Sequence, residues 1–262
     1  MKYLDVQGER IAYEEIGSGP PLVFISGWGG AAAEWRGDME YFGRFMRCLA
    51  PEHPGVAGQP LPDGPFSTRD MAGRIARLLD GLGIGSAAVA GLSMGGAVAQ
   101  ELALMRPDLV DRLVLCGTFA RLDARAARGI EGCARLIGTC GLKASLDMIY
   151  WLAFGPTFYD KNLNALDDAR EAFLRDPLPA GVFAYQAQAC LDHDTLDRLG
   201  GIACPALVLH GGEDILLRPR LGRELAQALP HARFSLMEDG GHLCVWERPD
   251  HFRDEVDAFL AE

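Results

Sequence analysis

The segment that best indicates the fold is Val89-Ala90-Gly91-Leu92-Ser93-Met94-Gly95-Gly96. An apolar run leads into it and a run of helix-forming residues follows, so the pattern predicts a strand, a sharp turn and a helix. Gly91 to Gly95 fit G-x-S-x-G, the turn that presents a serine hydroxyl above the end of a strand. A side chain at either glycine would collide with the neighbouring strand or helix as the chain reverses. The motif predicts that Ser93 is a nucleophile if the rest of the chain supplies a base and an acid.

The composition is typical of a globular protein with ample material for a core. Apolar residues make up 49% and charged residues 23% of the 262 residues. The 36 acidic residues outnumber the 25 basic ones, and the net charge of −11 argues against nucleic acid or an anionic membrane as a partner. Seven scattered cysteines without a C-x-x-C pair predict reduced thiols and no metal site. With no signal-like or membrane-spanning apolar run, we expect a cytoplasmic protein.

Strand and helix patterns alternate along most of the chain. Residues 2–16 predict a β-hairpin. The strands predicted after it lie at 21–25, 47–50, 87–91, 112–116, 205–210 and 233–237, and helices at 34–43, 67–82, 94–106, 219–229 and 249–261. This alternation predicts an α/β fold with a mostly parallel β-sheet flanked by helices.

One long segment interrupts this alternation. Residues 119–203 are helical in composition and contain no strand-like run comparable to the others. Because a structureless loop of that length is improbable in a compact domain, we interpret the segment as an inserted helical cap. The predicted organisation is a core domain of residues 1–118 and 204–262 with a cap subdomain of residues 119–203.

A serine nucleophile needs a base, and the base needs a third group to orient it. Asp214 lies in the loop that follows the predicted strand 205–210, and His242 lies in the loop after strand 233–237. Both loops fall at the carboxyl edge of the sheet, where ligands bind in open α/β folds. Glu213 adjoins Asp214 and is the alternative acid if the loop register differs by one residue.

The chain resembles the α/β-hydrolases of the group that includes 3-oxoadipate enol-lactonases, small carboxylesterases and cofactor-free haloperoxidases. The matching segments are 24–29, 50–55, 91–96, 210–214, 241–243 and 247–249. The resemblance implies the α/β-hydrolase fold, with Ser93 as nucleophile, His242 as base and Asp214 as the orienting acid. The residue after the nucleophile, Met94, is expected to supply one backbone N–H of the oxyanion hole, and the resemblance implies that Trp28 supplies the second.

We expect the substrate pocket to lie between the cap and the sheet, with Ser26, Gly29, Trp151 and Leu243 in its wall. Ser26 stands where most members of the group have histidine, which changes the anchoring of this loop. His53, in a proline-rich loop, is expected at the surface.

These residues predict a serine hydrolase of small carboxylic esters or lactones that needs no cofactor. The alternatives are carbon–carbon bond hydrolysis or cofactor-free perhydrolysis with the same three residues, and a non-catalytic receptor of the same fold. The expected partner is a small-molecule substrate, and a homodimer is possible.

Overall fold

The structure, a computed structural model that describes residues 1–262, is organised around one eight-stranded β-sheet. The strands are β1 (Lys2–Val6), β2 (Glu9–Ile16), β3 (Pro21–Ile25), β4 (Arg47–Pro51), β5 (Ala87–Leu92), β6 (Val110–Cys116), β7 (Ala206–Gly211) and β8 (Ala232–Met237). Their order across the sheet is β1-β2-β4-β3-β5-β6-β7-β8. Strand β2 pairs antiparallel with β1 and β4, whereas all other neighbours are parallel. The predicted mostly parallel sheet is confirmed.

Helices connect the parallel strands and form the long segment after β6. They are α1 (Arg36–Phe42), α2 (Thr68–Gly81), α3 (Met94–Met105), α4 (Ala124–Cys140), α5 (Leu142–Ala153), α6 (Pro156–Phe173), α7 (Ala180–Asp192), α8 (Pro219–Ala228), α9 (Cys244–Glu247) and α10 (Pro249–Leu260). The helix predicted at residues 34–43 is split, because a 3-10 helix at Ala32–Trp35 precedes α1. The short helix α9 was not predicted.

The sheet carries a hydrophobic core on each face. Val23 and Ile25 of β3 pack into a cluster that includes residues of α2, α3 and α8. Leu22 and Phe24 of the same strand pack into a second cluster with residues of α1 and α10. Because successive strand residues point to opposite faces, a strand covered on both sides must be apolar throughout. This explains the continuous apolar runs in the sequence.

Helix α2 begins at the predicted capping box. Ser67 Oγ accepts the backbone N–H of Asp70 at 3.1 Å, and the Asp70 carboxylate accepts the N–H of Ser67 at 2.8 Å. Met71 and Ile75 then lie on the buried face of the helix. The helix leads directly into β5, the strand that carries Ser93.

The segment between β6 and β7 forms α4 to α7 and contributes no strand to the sheet. Two hydrogen bonds join it to the loop after β3. The indole N–H of Trp28 donates to the carbonyl of Phe183 at 2.9 Å, and the backbone N–H of Gly29 donates to Gln186 Oε1 at 2.7 Å. The helical segment is thereby held against the carboxyl edge of the sheet. None of the helices has the length and apolarity needed to cross a membrane.

Candidate active site

Ser93 lies in a strained turn between β5 and α3. Its backbone has φ 54° and ψ −118°, a conformation that L-residues rarely adopt. A Cβ on Gly91 would overlap the backbone of Gly95, and a Cβ on Gly95 would overlap the carbonyl of Ile25. The glycines at both ends of the motif are therefore required by close backbone approach, as the sequence predicts.

Two side chains from neighbouring loops complete a hydrogen-bonded chain with Ser93. Ser93 Oγ lies 3.0 Å from His242 Nε2, and His242 Nδ1 lies 2.8 Å from Asp214 Oδ2. All three residues are buried. The structure thus brings together the three residues that the sequence singles out, each from the carboxyl end of a different strand.

Glu213, the alternative acid, points elsewhere. Its carboxylate accepts hydrogen bonds from the hydroxyl of Thr157 at 2.5 Å and from the backbone N–H of Thr157 at 3.1 Å. Thr157 lies in the first turn of α6, so Glu213 ties the loop after β7 to the helical segment. The position beside His242 is occupied by Asp214.

The surroundings of Asp214 keep its carboxylate ionised. Burial alone would raise its pKa, but the charge of His242 and hydrogen bonds from His210 and His242 lower the pKa to about 2. Its second oxygen, Oδ1, accepts the backbone N–H groups of Leu216 at 2.9 Å and Leu217 at 2.7 Å. A carboxylate held in this way can orient an imidazole and stabilise its protonated form.

Three further residues support this arrangement, although no sequence pattern assigns them a role at the site. His210 Nε2 lies within hydrogen-bond distance of the carbonyl of Leu217 and 3.4 Å from Asp214 Oδ2. Thr118 Oγ1 donates to the carbonyl of Ser93 at 2.6 Å. Glu247 Oε2 accepts the N–H of Gly241, next to His242, at 2.9 Å. Thr118 follows the predicted strand 112–116 and Glu247 begins the matching segment 247–249, but the sequence does not show which groups they contact.

The loop after β3 packs directly against the serine turn. A Cβ on Gly27 would lie 3.4 Å from Ser93 Cβ, so Gly27 allows this close approach. Trp28, whose backbone N–H is the predicted oxyanion donor, follows Gly27 in this loop. Met94 is the first residue of α3, and its N–H has no acceptor within the helix because the first four N–H groups of a helix lack intrahelical partners. Both predicted oxyanion donors therefore belong to segments that border Ser93.

Ser26 and His53 stabilise the loop after β3 through hydrogen bonds on its buried side. The Ser26 hydroxyl donates to the carbonyl of Ala31 at 3.0 Å, and His53 Nε2 lies 2.9 Å from the carbonyl of Ser26. Burial lowers the pKa of His53 to about 4, so the neutral ring donates this hydrogen bond at neutral pH. The expected surface position of His53 is wrong, because the loop that carries it folds inward against residues 26–31.

A cavity of about 450 Å³ opens in front of Ser93 and His242 between the sheet edge and the helical segment. Of its 26 lining residues, 20 are hydrophobic. Gly29 and Leu243 line it, as predicted, but Ser26 and Trp151 do not. Ser26 is buried behind the loop, and Trp151 is 58% exposed because it lies outside the face of α5 that carries Leu146 and Tyr150 into the cavity.

One acidic side chain in this cavity was not predicted. Glu34, from the 3-10 helix before α1, lines the cavity. Its Oε2 is inaccessible to solvent and has no hydrogen-bond partner. Burial, with a smaller contribution from Glu52, raises the pKa of Glu34 to about 8. Glu34 is surrounded in sequence by alanines and Trp35 and belongs to no motif, so nothing local marks it.

A parallel sheet with a serine at the strand-to-helix turn, followed by an acid and a histidine in later loops, defines an α/β-hydrolase. The chain belongs to the alpha/beta hydrolase fold family, whose sequence profile matches residues 20–249. The predicted resemblance to this class of hydrolytic enzymes is confirmed.

Individual relatives span nearly the whole chain. A protein named as a non-heme bromoperoxidase, BpoC of Mycobacterium tuberculosis, is 30% identical over 96% of this chain and 98% of its own length. A protein named as a carbamate hydrolase, RutD of Azorhizobium caulinodans, is 28% identical over 100% of this chain and 99% of its own length. The enol-lactonase from Burkholderia xenovorans is 28% identical in sequence to this chain. Its crystal structure matches this structure with a TM-score of 0.89, covering 100% of both chains.

Proposed function

We propose that this protein hydrolyses small carboxylic esters or lactones through an acyl-enzyme intermediate. The observation that carries the proposal is the continuous hydrogen-bonded chain from Ser93 through His242 to Asp214 at the opening of an apolar cavity. A serine hydroxyl becomes a competent nucleophile when a positioned base accepts its proton. His242 Nε2 lies within hydrogen-bond distance of Ser93 Oγ, as such a base must.

In the first half of the reaction, Ser93 Oγ attacks the substrate carbonyl and its proton passes to His242 Nε2. Asp214 holds the ring through Nδ1 and stabilises the imidazolium. The backbone N–H groups of Trp28 and Met94 stabilise the negative oxygen of the tetrahedral intermediate. Collapse of this intermediate breaks the ester bond, and His242 returns the proton to the leaving alcohol.

In the second half, water replaces the alcohol. His242 takes a proton from this water, whose oxygen attacks the acyl carbonyl, and a second tetrahedral intermediate forms in the same oxyanion hole. Its collapse releases the carboxylic acid and restores the Ser93 hydroxyl with the proton from His242. Every step uses only groups of this chain and water.

The lining of the cavity favours uncharged substrates. It contains no lysine or arginine to pair with a substrate carboxylate, and its one acidic residue is Glu34. Burying an unpaired anion in an apolar site is strongly unfavourable. A lactone with a free carboxylate, such as 3-oxoadipate enol-lactone, is therefore a poorer candidate than a neutral ester or lactone.

A panel of p-nitrophenyl esters and lactones graded by chain length tests the proposal. Ser93→Ala is expected to abolish turnover above background, whereas the exposed Ser18→Ala, a matched serine control, is expected to retain wild-type activity. Turnover by Ser93→Ala equal to that of wild type, or failure of a serine-directed phosphonate to label Ser93, contradicts the proposal.

A second candidate is perhydrolysis, which the 30% identity with the protein named as a non-heme bromoperoxidase favours. In this reaction hydrogen peroxide instead of water attacks the acyl-enzyme, releasing a peracid and restoring Ser93. The peracid then oxidises bromide outside the site. Bromination that requires acetate, peroxide and Ser93, measured beside ester hydrolysis, distinguishes the two reactions.

A further inference from the structure

Only three side chains in the cavity wall are neither hydrophobic nor glycine. Two of them, Ser93 and His242, belong to the proposed catalytic chain, and the third is Glu34. Glu34 is also the only aspartate, glutamate, lysine or arginine in that wall. Its presence in an otherwise apolar cavity needs a physical explanation.

Packing explains the position of Glu34 but leaves one oxygen of its carboxyl group without a hydrogen-bond partner, although the backbone N–H of Ala31 donates to the group. Its Oε2 presses against the loop that carries Trp28, since a Cβ on Gly30 would lie 2.5 Å from it. The same oxygen is buried without a hydrogen bond. A buried polar group without a partner destabilises a protein, and this penalty is relieved when the side chain turns towards a ligand group that supplies the partner.

The charges around Glu34 indicate which partner suits it. Glu52 is the other carboxyl group that acts on it, Tyr150 faces it from α5, and no lysine or arginine lies in the cavity wall. With a pKa of about 8, Glu34 is mostly a neutral carboxylic acid at pH 7. A neutral carboxylic acid both donates and accepts a hydrogen bond.

We propose that Glu34 selects substrates that carry an uncharged hydroxyl or keto group on the chain that fills the cavity, by hydrogen bonding to that group. This inference rests on the proposed hydrolase function and names its substrate class more closely. A hydroxyl or keto oxygen accepts a hydrogen bond from the O–H of the acid, and a hydroxyl also donates one to the carbonyl oxygen of the acid. A site built around such a bond rejects the analogue that lacks the polar group.

The test compares matched substrates that differ by one hydroxyl group. One pair varies the acyl side, methyl hexanoate against methyl 6-hydroxyhexanoate, and the other varies the alcohol side, hexyl acetate against 6-hydroxyhexyl acetate. The ratio of kcat/KM within each pair is measured for wild type, Glu34→Met and Glu34→Gln. The exposed Glu40, on α1, provides the matched controls Glu40→Met and Glu40→Gln.

In at least one pair, Glu34→Met is expected to shift the ratio about tenfold towards the plain alkyl substrate, whereas Glu34→Gln, which retains a donor and an acceptor, stays within about threefold of wild type. Unchanged ratios in both pairs for Glu34→Met overturn the inference. A wild-type preference for 6-aminohexyl acetate over the hydroxyl substrate also overturns it, because a cation would then be the partner of an ionised Glu34.

Two further measurements test whether Glu34→Met folds and whether the substrate preference depends on pH. Phosphonate labelling of Ser93 at the wild-type rate shows that Glu34→Met is folded. If Glu34→Met does not fold, the test uses wild type alone, and compares the ratio of kcat/KM for methyl 5-oxohexanoate and methyl hexanoate at pH 7 and pH 9.5. Ionisation at the higher pH removes the donated proton, so the preference for the keto analogue methyl 5-oxohexanoate over methyl hexanoate is expected to fall, and an unchanged preference overturns the inference. Absence of any ester or lactone turnover by wild type contradicts the proposed function itself.

Discussion

The hydroxyl of Thr118 donates a 2.6 Å hydrogen bond to the backbone carbonyl of Ser93. Thr118 follows β6 and is fully buried, so this bond connects the serine turn to the neighbouring strand. The N–H of Ser93 donates to the carbonyl of Cys116 in the same strand at 2.8 Å. Both polar backbone groups of Ser93 are thus engaged, which holds the strained turn in place.

Thr118→Val should loosen the serine turn while preserving the shape of the side chain. Loss of the hydrogen bond is expected to lower the free energy of unfolding by about 1 kcal/mol and to reduce kcat by about tenfold, because Ser93 is held less firmly. Thermal unfolding and ester kinetics measure the two effects. The exposed Thr139→Val is the control. A Thr118→Val variant with wild-type kcat would show that the bond does not position Ser93.

Gly95→Ala should be far more harmful than an alanine substitution at a helical glycine with free space around it. The new methyl group would overlap the carbonyls of Ile25 and Ser26, so we expect a loss of several kcal/mol of stability, or failure to fold. Gly138→Ala, inside α4 with nothing within 4 Å, should instead gain about 0.5–1 kcal/mol from helix propensity. Similar unfolding midpoints for the two variants would contradict the close-packed turn.

Asp214→Asn and Glu213→Gln separate the two adjacent acids. Asp214→Asn leaves His242 without a negative partner and is expected to reduce kcat by roughly 10⁴-fold, the effect of the same change in other Ser-His-Asp enzymes. Glu213→Gln is expected to change kcat by less than about tenfold, because its carboxylate binds Thr157 and not His242. Kinetics with one short-chain ester measure both. Equal losses would mean that Glu213 contributes to the chemistry.

The stability of the protein should fall as Glu34 ionises. Its pKa is 4.5 in the unfolded chain and about 8 in the folded one. Between these values the folded state holds a proton that the unfolded state has released, so the free energy of unfolding decreases as the pH rises.

Glu34→Gln removes this titration. Its stability relative to wild type is expected to increase from pH 5 to pH 9 by a few kcal/mol, on the order of 3. Urea unfolding at a series of pH values measures the difference, with the exposed Glu40→Gln measured beside it as the control. Glu52 and Tyr150 remain in both proteins, and their interaction with the charge of Glu34 is part of the measured difference. A constant difference for Glu34→Gln would mean that Glu34 ionises normally.

The order of strands and helices was predictable because the signals are local. The capping box at Ser67 and Asp70 marks the start of α2 within four residues of sequence. The apolar run at 21–25 predicts a strand buried on both faces, and the structure places it between two core clusters. The glycines around Ser93 predict a tight turn because only glycine allows the backbone contacts that the turn requires.

The wall of the cavity was less predictable because it depends on contacts between distant segments. Trp151 is an aromatic residue of the kind that lines pockets, but the rotation of α5 about its own axis turns this side chain outward. His53 is buried because its loop folds against Ser26, 27 residues earlier in the chain. No pattern in the sequence records how a helix rotates or which loop covers which.

Local sequence patterns are sufficient to predict the α/β architecture, the turn that holds Ser93, and the loops that carry Asp214 and His242. These follow from periodicity, glycine placement and chain order, which act over a few residues. Packing between distant segments is what places Asp214 and not Glu213 at 2.8 Å from His242, and Glu34 in the wall of an apolar cavity. Adjacent residues in a loop point in different directions, and the burial of a side chain depends on segments far away in sequence. Local patterns therefore predict neither the choice between the two acids nor the burial of Glu34.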